Sequence, residues 1–430
     1  MHWQLSSTLI TVGFKMKILY LEHYAGSPEY GMEYRPYYLA KEWVAAGHEV
    51  TIVAASYSHL RNRQPSVHGK LTFEMIDGIQ YVWLPTPKYE QNSAKRIVNI
   101  IEYIRGLYSV PNFLGEYPFD AVIASSTYPF DNDFAHRMAV KWGAVHVYEV
   151  HDLWPLSPIE LGGYPRWHPA IIVTQAAEDR AYRNADSVVS LLPAAKTYMM
   201  SRGLKEDKFH YIPNGIAVDE WDNYVGSSTS FWEEKLEAVK AKDILIGYAG
   251  SHGIANALDT FIEAAVQLPN YGFVLLGQGP EKNRLQRKAE ENKLANVLFI
   301  DSVPRSYVPD FLNHMDILYI GFQRQSLYRF GISPNKLIDY MIAGKPIICA
   351  IDAGNDIVGE AGCGLTIQPE NVEALVQAIY KLSSCDKASR DRMGLLGRAY
   401  IKKHHDYHIL AQQFISILQA TKNKKTRWRI

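Results

Sequence analysis

The stretch RFGISPNKLIDYMIAGKPII, Arg329 to Ile348, decides the fold. It reads as a loop, a helix start, one short helix and a buried strand. Ser333 has the side chain of a helix N-cap, and Pro334 suits the first helical position, where its missing N–H costs nothing. Gly344 ends the helix and Pro346 keeps it from resuming. The unpaired amides of such a first turn carry the positive end of the helix dipole and form an anion site. Lys336 adds a full charge, and Asp339 and Tyr340, three and four residues on, share its face. This spacing fits a diphosphate on the amides and Lys336, with Asp339 accepting hydrogen bonds from ribose hydroxyls. A capped helix with a surface Lys–Asp pair fits it as well.

Around that stretch the chain repeats one grammar: a short apolar run, a glycine loop, then a helical pattern. KILYLEHY opens it as a strand from Lys17, AGSPEYG follows with Gly26 and Gly31 as loop punctuation, and a helix leads through Gly47 into VTIVAA. The pattern G-x-G-x-x-G is absent, so a dinucleotide fingerprint is not supported. Glu33 and Arg35 fall at the loop's end, where they face a ligand or cap a solvated helix. LTFEMI and IQYVWLP around Asp77-Gly78 predict a hairpin. In KRIVNIIEYIRGLYSVPNFL the stripe Ile97, Ile100, Ile101 and Ile104 reads chiefly as core-facing. Its flanking Lys95, Arg96 and Arg105 also fit an amphipathic surface on anionic lipid.

FDAVIASS is a further strand, and Asp131-Asn132-Asp133 reads as helix capping rather than as a metal motif. AVHVYEVHDLWPL is a strand that ends on His151 and Asp152. In open α/β sheets ligands sit at the carboxyl ends of strands, which makes this pair a functional candidate. No nucleophile elbow is visible, so hydrolase chemistry is not indicated. The polar stretch through DEWDNYVGSSTSFWEEKLEAVKAKD marks a domain boundary. The grammar then restarts with ILIGYAGSHGIANALDTFIEAA, whose Ser251, His252 and Gly253 lie where a phosphate or sugar approaches backbone amides. The predicted organisation is residues 16–222 as a first domain, 223–243 as linker and 244–405 as a second domain. Residues 406–430 then form a C-terminal helix turned back toward the first domain, plus a basic tail. Lys422, Lys424, Lys425, Arg427 and Arg429 surround Trp428 in that tail, which reads equally as a frayed end or as a membrane contact.

The 430 residues are 47% apolar and 21% charged, with zero formal net charge. Those values describe a folded chain and argue against nucleic acid as a partner. The three cysteines, Cys349, Cys363 and Cys385, show no CxxC spacing and predict reduced thiols in a cytoplasmic setting. No apolar run approaches the roughly 18–20 residues that span a bilayer. The first 15 residues make a poor signal peptide and read as an upstream extension or a disordered lead.

GHEVTIVAA, EVHDLWP, GSHGIANALDTFIEAA, GQGPEKNRLQ and SPNKLIDYMIAGKPII, in this order, resemble the family 4 glycosyltransferases. Within that family the chain resembles bacterial enzymes of O-antigen and capsule assembly, especially the N-acetyl-L-fucosamine transferase type. The resemblance implies the α/β GT-B fold, two doubly wound Rossmann-like domains facing each other across a cleft. It implies a retaining, metal-independent transferase that needs no cofactor. Its donor would be a UDP-sugar and its acceptor a lipid-linked saccharide at the inner face of a bacterial membrane, reached by peripheral contact.

By resemblance, His151 contacts the donor sugar and aligns the acceptor, while Lys336 stabilises the leaving diphosphate; these are the catalytic candidates. Asp339 stands where the family holds the ribose with the second glutamate of its E-x7-E motif. The first glutamate's position is Gly331, which shifts sugar recognition to the backbone of Phe330, Gly331 and Ile332. Ser251, His252 and Asn256 replace the family's usual arginine and lysine. Gly26, Gly253, Ser333, Pro334 and Asn335 complete the donor side, with Glu33, Arg35 and Asp152 on the acceptor side and no metal ligand. Two alternatives stay open on the sequence: a GT-B nucleotide-sugar epimerase, and a non-catalytic scaffold of a polysaccharide-assembly complex.

Overall fold

Fourteen apolar runs become strands among the residues that the computed structural model describes, which are 15–90, 94–115, 118–224, 226 and 229–427. The first sheet is built from β1 (Lys17–Leu21), β2 (Glu49–Ala55), β3 (Thr72–Ile76), β4 (Ile79–Leu84), β5 (Ala121–Ala124), β6 (Val145–Val150), β7 (Ser187–Ser190) and β8 (Phe209–Tyr211). Its order is β3-β4-β2-β1-β5-β6-β7-β8. The second is built from β9 (Leu245–Ala249), β10 (Gly272–Leu276), β11 (Val297–Ile300), β12 (Ile317–Gly321), β13 (Ile347–Ala350) and β14 (Gly364–Ile367), in the order β11-β10-β9-β12-β13-β14. Pairing is parallel throughout the second sheet. Helices cover such sheets on both faces, so their strands are apolar along their whole length. Every residue of β5, β6, β10, β12 and β13 is accordingly buried.

The hairpin forms as its sequence predicts. β3 and β4 pair antiparallel, and Asp77 and Gly78 both take positive φ, 49° and 79°, as a tight two-residue turn of matching twist requires.

The chain divides into two compact units. The smaller holds residues 15–148, 184–187 and the C-terminal stretch from Ile415, and the larger holds residues 149–183 and 188–414. In the smaller unit Leu19, Val53, Val82, Tyr103, Val122 and Phe134 belong to one buried cluster. The larger unit has two clusters, one around Trp232, Phe311, Leu318 and Met341 and one around Phe261, Phe273, Tyr319 and Ile379. Trp232 belongs to the Thr229–Leu236 helix, in the polar stretch read as a boundary, and is fully buried.

Three local expectations are corrected. The Ala94–Leu107 helix buries Asn99, Tyr103 and Leu107, whereas Ile97 and Ile101 are exposed and Ile100 and Ile104 half-buried. Hydrogen bonds choose that face: Asn99 Oδ1 meets His23 Nε2 at 2.6 Å and Tyr103 O–H donates to the Val53 carbonyl at 2.9 Å. Asp131 does not cap a helix; its carboxylate is buried and accepts the Ser126 N–H at 3.2 Å. The basic end is neither frayed nor loose as far as Arg427, because it continues the Tyr407–Arg427 helix. There Lys425 Nζ donates to Asp186 Oδ2 at 2.6 Å and to the Ala144 carbonyl at 2.8 Å, and Lys422 pairs with Asp120. Trp428, Arg429 and the first 14 residues lie outside the described residues.

Candidate active site

In the larger unit a cavity of about 350 Å³ is lined on one side by His151, Asp152, Leu153, Ser157 and Leu161, which follow β6. Its other walls include Asn214 and the run Phe330–Pro334. The strand-end pair and the glycine loop before the Asn335–Ile342 helix therefore meet at one site. His151 Nε2 lies 3.6 Å from Glu149 Oε2, and Glu149 is wholly buried at the end of β6.

The loop is held by side chains rather than by a cap. The helix starts at Asn335, one residue later than the sequence implies, and extended Pro334 precedes it with no side-chain cap. Ser333 is spent elsewhere: its Oγ accepts the Asn214 N–H and its carbonyl accepts Asn214 Nδ2, each at 2.8 Å. Those two bonds pull Ser333 away from the helix's own amides and leave Asn214 Oδ1 buried without a partner. Gly331 has φ +94°, and a Cβ there would stand 2.5 Å from Pro193 Cδ, so only glycine fits. The amides of Gly331 and Ile332 are already bonded, to the Tyr328 carbonyl at 2.9 Å and to Asn355 Oδ1 at 2.8 Å. They are thus not the free donors that sugar recognition by backbone amides requires.

Lys336 reaches from the helix to the loop that follows β9. Its ammonium donates to Tyr248 Oη at 2.7 Å and to Asn256 Oδ1 at 2.8 Å, and lies 4.3 Å above the Tyr248 ring. Tyr248 O–H and Asn256 Nδ2 both donate to the Ser251 carbonyl, at 2.6 and 2.9 Å. The loop is thereby folded under the lysine. A Cβ on Gly250 would stand 2.5 Å from Lys336 Cε, so this glycine permits the approach. Tyr340 fastens the helix to the strand end, its hydroxyl accepting the Ala249 N–H at 2.6 Å and donating to the Ala249 carbonyl at 3.0 Å.

No ion pair neutralises Lys336 among the described residues, and burial lowers its pKa to about 7. His252 is wholly buried with neither ring nitrogen hydrogen-bonded. Burial, with Lys282 and Lys336 nearby, lowers its pKa to about 4. Burial also raises the Asp339 carboxyl, against the pull of Arg305, whose Nη2 lies 3.4 Å away. A bound diphosphate would supply the negative charge that Lys336 lacks and would favour its protonated form.

The remaining expected residues have local settings of their own. Gly253 borders a second cavity of about 240 Å³ with Asp259, Glu281 and Arg284. Gly26, Glu33 and Arg35 belong to the smaller unit. Gly26 N–H is used within its own loop, donating to the Glu33 carbonyl at 2.8 Å, and Arg35 is buried. Sequence reasoning missed Tyr248, Asn214, Glu149 and Asn355. Of these, Asn214 stood within the turn motif IPNGI and Glu149 within EVHDLWP, so both had a signal. It also missed the bidentate pair of Glu160 and Arg329, at 2.7 Å for both bonds, which joins the Leu156–Glu160 helix to the segment before Phe330.

Two family descriptions match the chain. The glycosyl transferase 4-like domain matches residues 30–215, and the glycosyl transferases group 1 model matches residues 231–400. A protein of Escherichia coli K12 assigned as the colanic acid biosynthesis glycosyl transferase WcaI is 22% identical over 397 residues, which cover 88% of this chain and 94% of that one. Among solved structures, sucrose-phosphate synthase from Thermosynechococcus elongatus superimposes with a TM-score of 0.72 at 15% identity, covering 94% of this chain and 98% of that one. Anabaena HepE, solved in complex with UDP and glucose, gives 0.64 at 15% identity, covering 94% of this chain and all of HepE. With two predominantly parallel α/β sheets and family descriptions matching residues 30–215 and 231–400, the chain is a glycosyltransferase of the GT-B fold and belongs to family 4.

Proposed function

We propose that this enzyme moves a sugar from a UDP-sugar to a lipid-diphosphate-linked saccharide during assembly of a bacterial surface polysaccharide, with retention of anomeric configuration. The sugar is an N-acetylated deoxyhexose such as N-acetylfucosamine. The reading rests on one observation above all: a half-buried lysine without a counter-charge, aimed at the loop after β9 and held by Tyr248 and Asn256. The likeness to WcaI supports a role in surface polysaccharide, and the UDP in HepE supports the choice of nucleotide.

In this reading the diphosphate lies between Lys336 and the first turn of the Asn335–Ile342 helix, with the ribose toward Asp339. As the C1–O bond to the diphosphate breaks, negative charge grows on the leaving oxygen. The ammonium of Lys336 stabilises it there, in a site of low dielectric where that interaction is strong. The leaving phosphate oxygen takes the proton of the attacking hydroxyl. His151, beside Glu149, holds the donor sugar against the acceptor. Fixed amides and a lysine carry the phosphate charge, so the reaction needs no metal and the nucleotide-sugar is itself a substrate. No helix among the described residues is long and apolar enough to cross a membrane. In this reading contact with the inner face of the cytoplasmic membrane is peripheral.

A thermal-shift series with UDP, GDP, dTDP and ADP tests the reading. UDP is expected to raise Tm most, through its preferential binding to the folded state. An equal shift with every nucleotide, or none with any, removes the proposal's basis.

A further inference from the structure

Five large apolar side chains stand exposed within thirteen residues of the larger unit: Leu161 at 56%, Tyr164 at 48%, Trp167 at 75%, Ile172 at 55% and Val173 at 59%. We propose that this segment, Leu161 to Val173, is the surface by which the enzyme docks onto a bilayer. The inference rests on the reading of a membrane-borne acceptor, and it names the face that meets the membrane.

The segment is ordered by its own hydrogen bonds. His168 N–H donates to the Pro165 carbonyl at 3.0 Å, Ile172 N–H to the His168 carbonyl at 3.1 Å, and Ala170 N–H to His168 Nδ1 at 3.3 Å. Tyr164 stands edge-on to the His168 ring at 5.4 Å, and its amide donates to the Pro158 carbonyl at 3.3 Å. These bonds fix the shape in which the loop presents its apolar side chains.

Its helix makes the same point. The Pro169–Asn184 helix already buries Ile171, Thr174, Ala177 and Glu178, so Ile172 and Val173 are surplus to the core and turned outward. Tyr and Trp are the residues whose amphipathic rings settle at a membrane interface, and apolar neighbours reach below them. The charge also suits an anionic surface: from Leu161 to Ala177 there is one arginine, Arg166, and no acidic residue. Finally, the patch is continuous with the site, because Leu161 both lines the cavity beside His151 and opens the exposed run. A bilayer touching this run would present a lipid-anchored acceptor at the mouth of that cavity.

The test is flotation of the full chain with vesicles of mixed phosphatidylethanolamine and phosphatidylglycerol. The wild type is expected to float. The variant Trp167→Ser/Ile172→Ser/Val173→Ser is expected to lose about tenfold in bound fraction while its UDP-induced thermal shift stays unchanged. Fluorescence quenching by brominated lipid should fall in Trp167→Phe, which keeps the patch apolar and removes only the reporter. Equal flotation of the triple variant overturns the proposal. So does loss of flotation in Ile97→Ser/Ile101→Ser alone, which would move docking to the Ala94–Leu107 helix. A wild-type dimer that becomes monomeric in the triple variant would assign the patch to self-association instead. A wild type that floats but shows no nucleotide shift would sink the transferase reading and leave the docking surface standing.

Discussion

At Lys336 the proposed function and stability pull against each other. Its ammonium is partly withdrawn from water with two neutral acceptors and no carboxylate, and its pKa falls to about 7 in the folded protein. The unfolded chain holds that proton up to about pH 10.4. Folding at neutral pH therefore expels a proton that the unfolded state keeps, and stability rises with pH across that interval. Lys336→Met should abolish sugar transfer yet raise Tm at pH 7, and the gain should shrink as the melt is repeated up to pH 10. A loss of stability on substitution would show that the lysine holds the loop rather than waits for a ligand. The same pKa sets the pH dependence of donor binding. Above pH 7 the free lysine loses its proton, so a diphosphate must recapture one. UDP affinity by calorimetry should fall up to about tenfold per pH unit between pH 7.5 and 9. A flat profile would exclude Lys336 as the phosphate ligand.

At the scale of elements, the site depends on close approaches that only glycine allows. Gly250 and Gly47 both take positive φ, +152° and +89°, so alanine at either strains the backbone by about 1–2 kcal/mol. They differ in what a Cβ would meet. At Gly47 nothing lies within 4 Å, whereas at Gly250 the Cβ would stand 2.5 Å from Lys336 Cε and 2.9 Å from its Nζ. Gly47→Ala should therefore lower Tm with UDP affinity intact. Gly250→Ala should lower Tm by a similar amount and also weaken UDP at least tenfold, since the strand-end loop and the helix can no longer meet. Matched losses of affinity in the two variants would refute this division. Tyr340 shows the same dependence from the other side, because its hydroxyl bonds both the amide and the carbonyl of Ala249 and so fixes the helix against β9.

For the whole molecule, the C-terminal helix separates what is covalently last from what is structurally marginal. Tyr407, Leu410, Phe414 and Leu418 are all buried along it, and beyond them Lys422 and Lys425 make only partly exposed ion pairs. Removing a buried side chain of this size costs about 2–5 kcal/mol, whereas such ion pairs are worth about 0–1 kcal/mol each. Truncation after residue 421 should shift Tm by only a few degrees. Truncation after residue 406 should give a chain with no cooperative melt by circular dichroism, because the combined loss of four such side chains, about 8–20 kcal/mol, is as large as the roughly 5–15 kcal/mol by which domains are stable. A cooperative transition in the shorter chain would show that the helix is an appendage.

Much of this protein was written locally. The strands, the Asp77-Gly78 hairpin and the stop at Gly344, whose φ is +73°, follow from apolar runs and glycine positions that act within a few residues. The pairing of His151 and Asp152 with the loop before Pro334 was legible as two separate strand-end and helix-start signals, and the cavity joins them. Tertiary structure alone decided which partner each side chain took. Lys336 met Tyr248 across 88 residues, Asn214 captured Ser333 across 119, and the Ala94–Leu107 helix turned Asn99 rather than its isoleucines inward because His23 offered it a bond. Backbone preference is settled by neighbours in the chain, but a hydrogen-bond partner is settled by which loops the folded sheets bring within about 3 Å of one another.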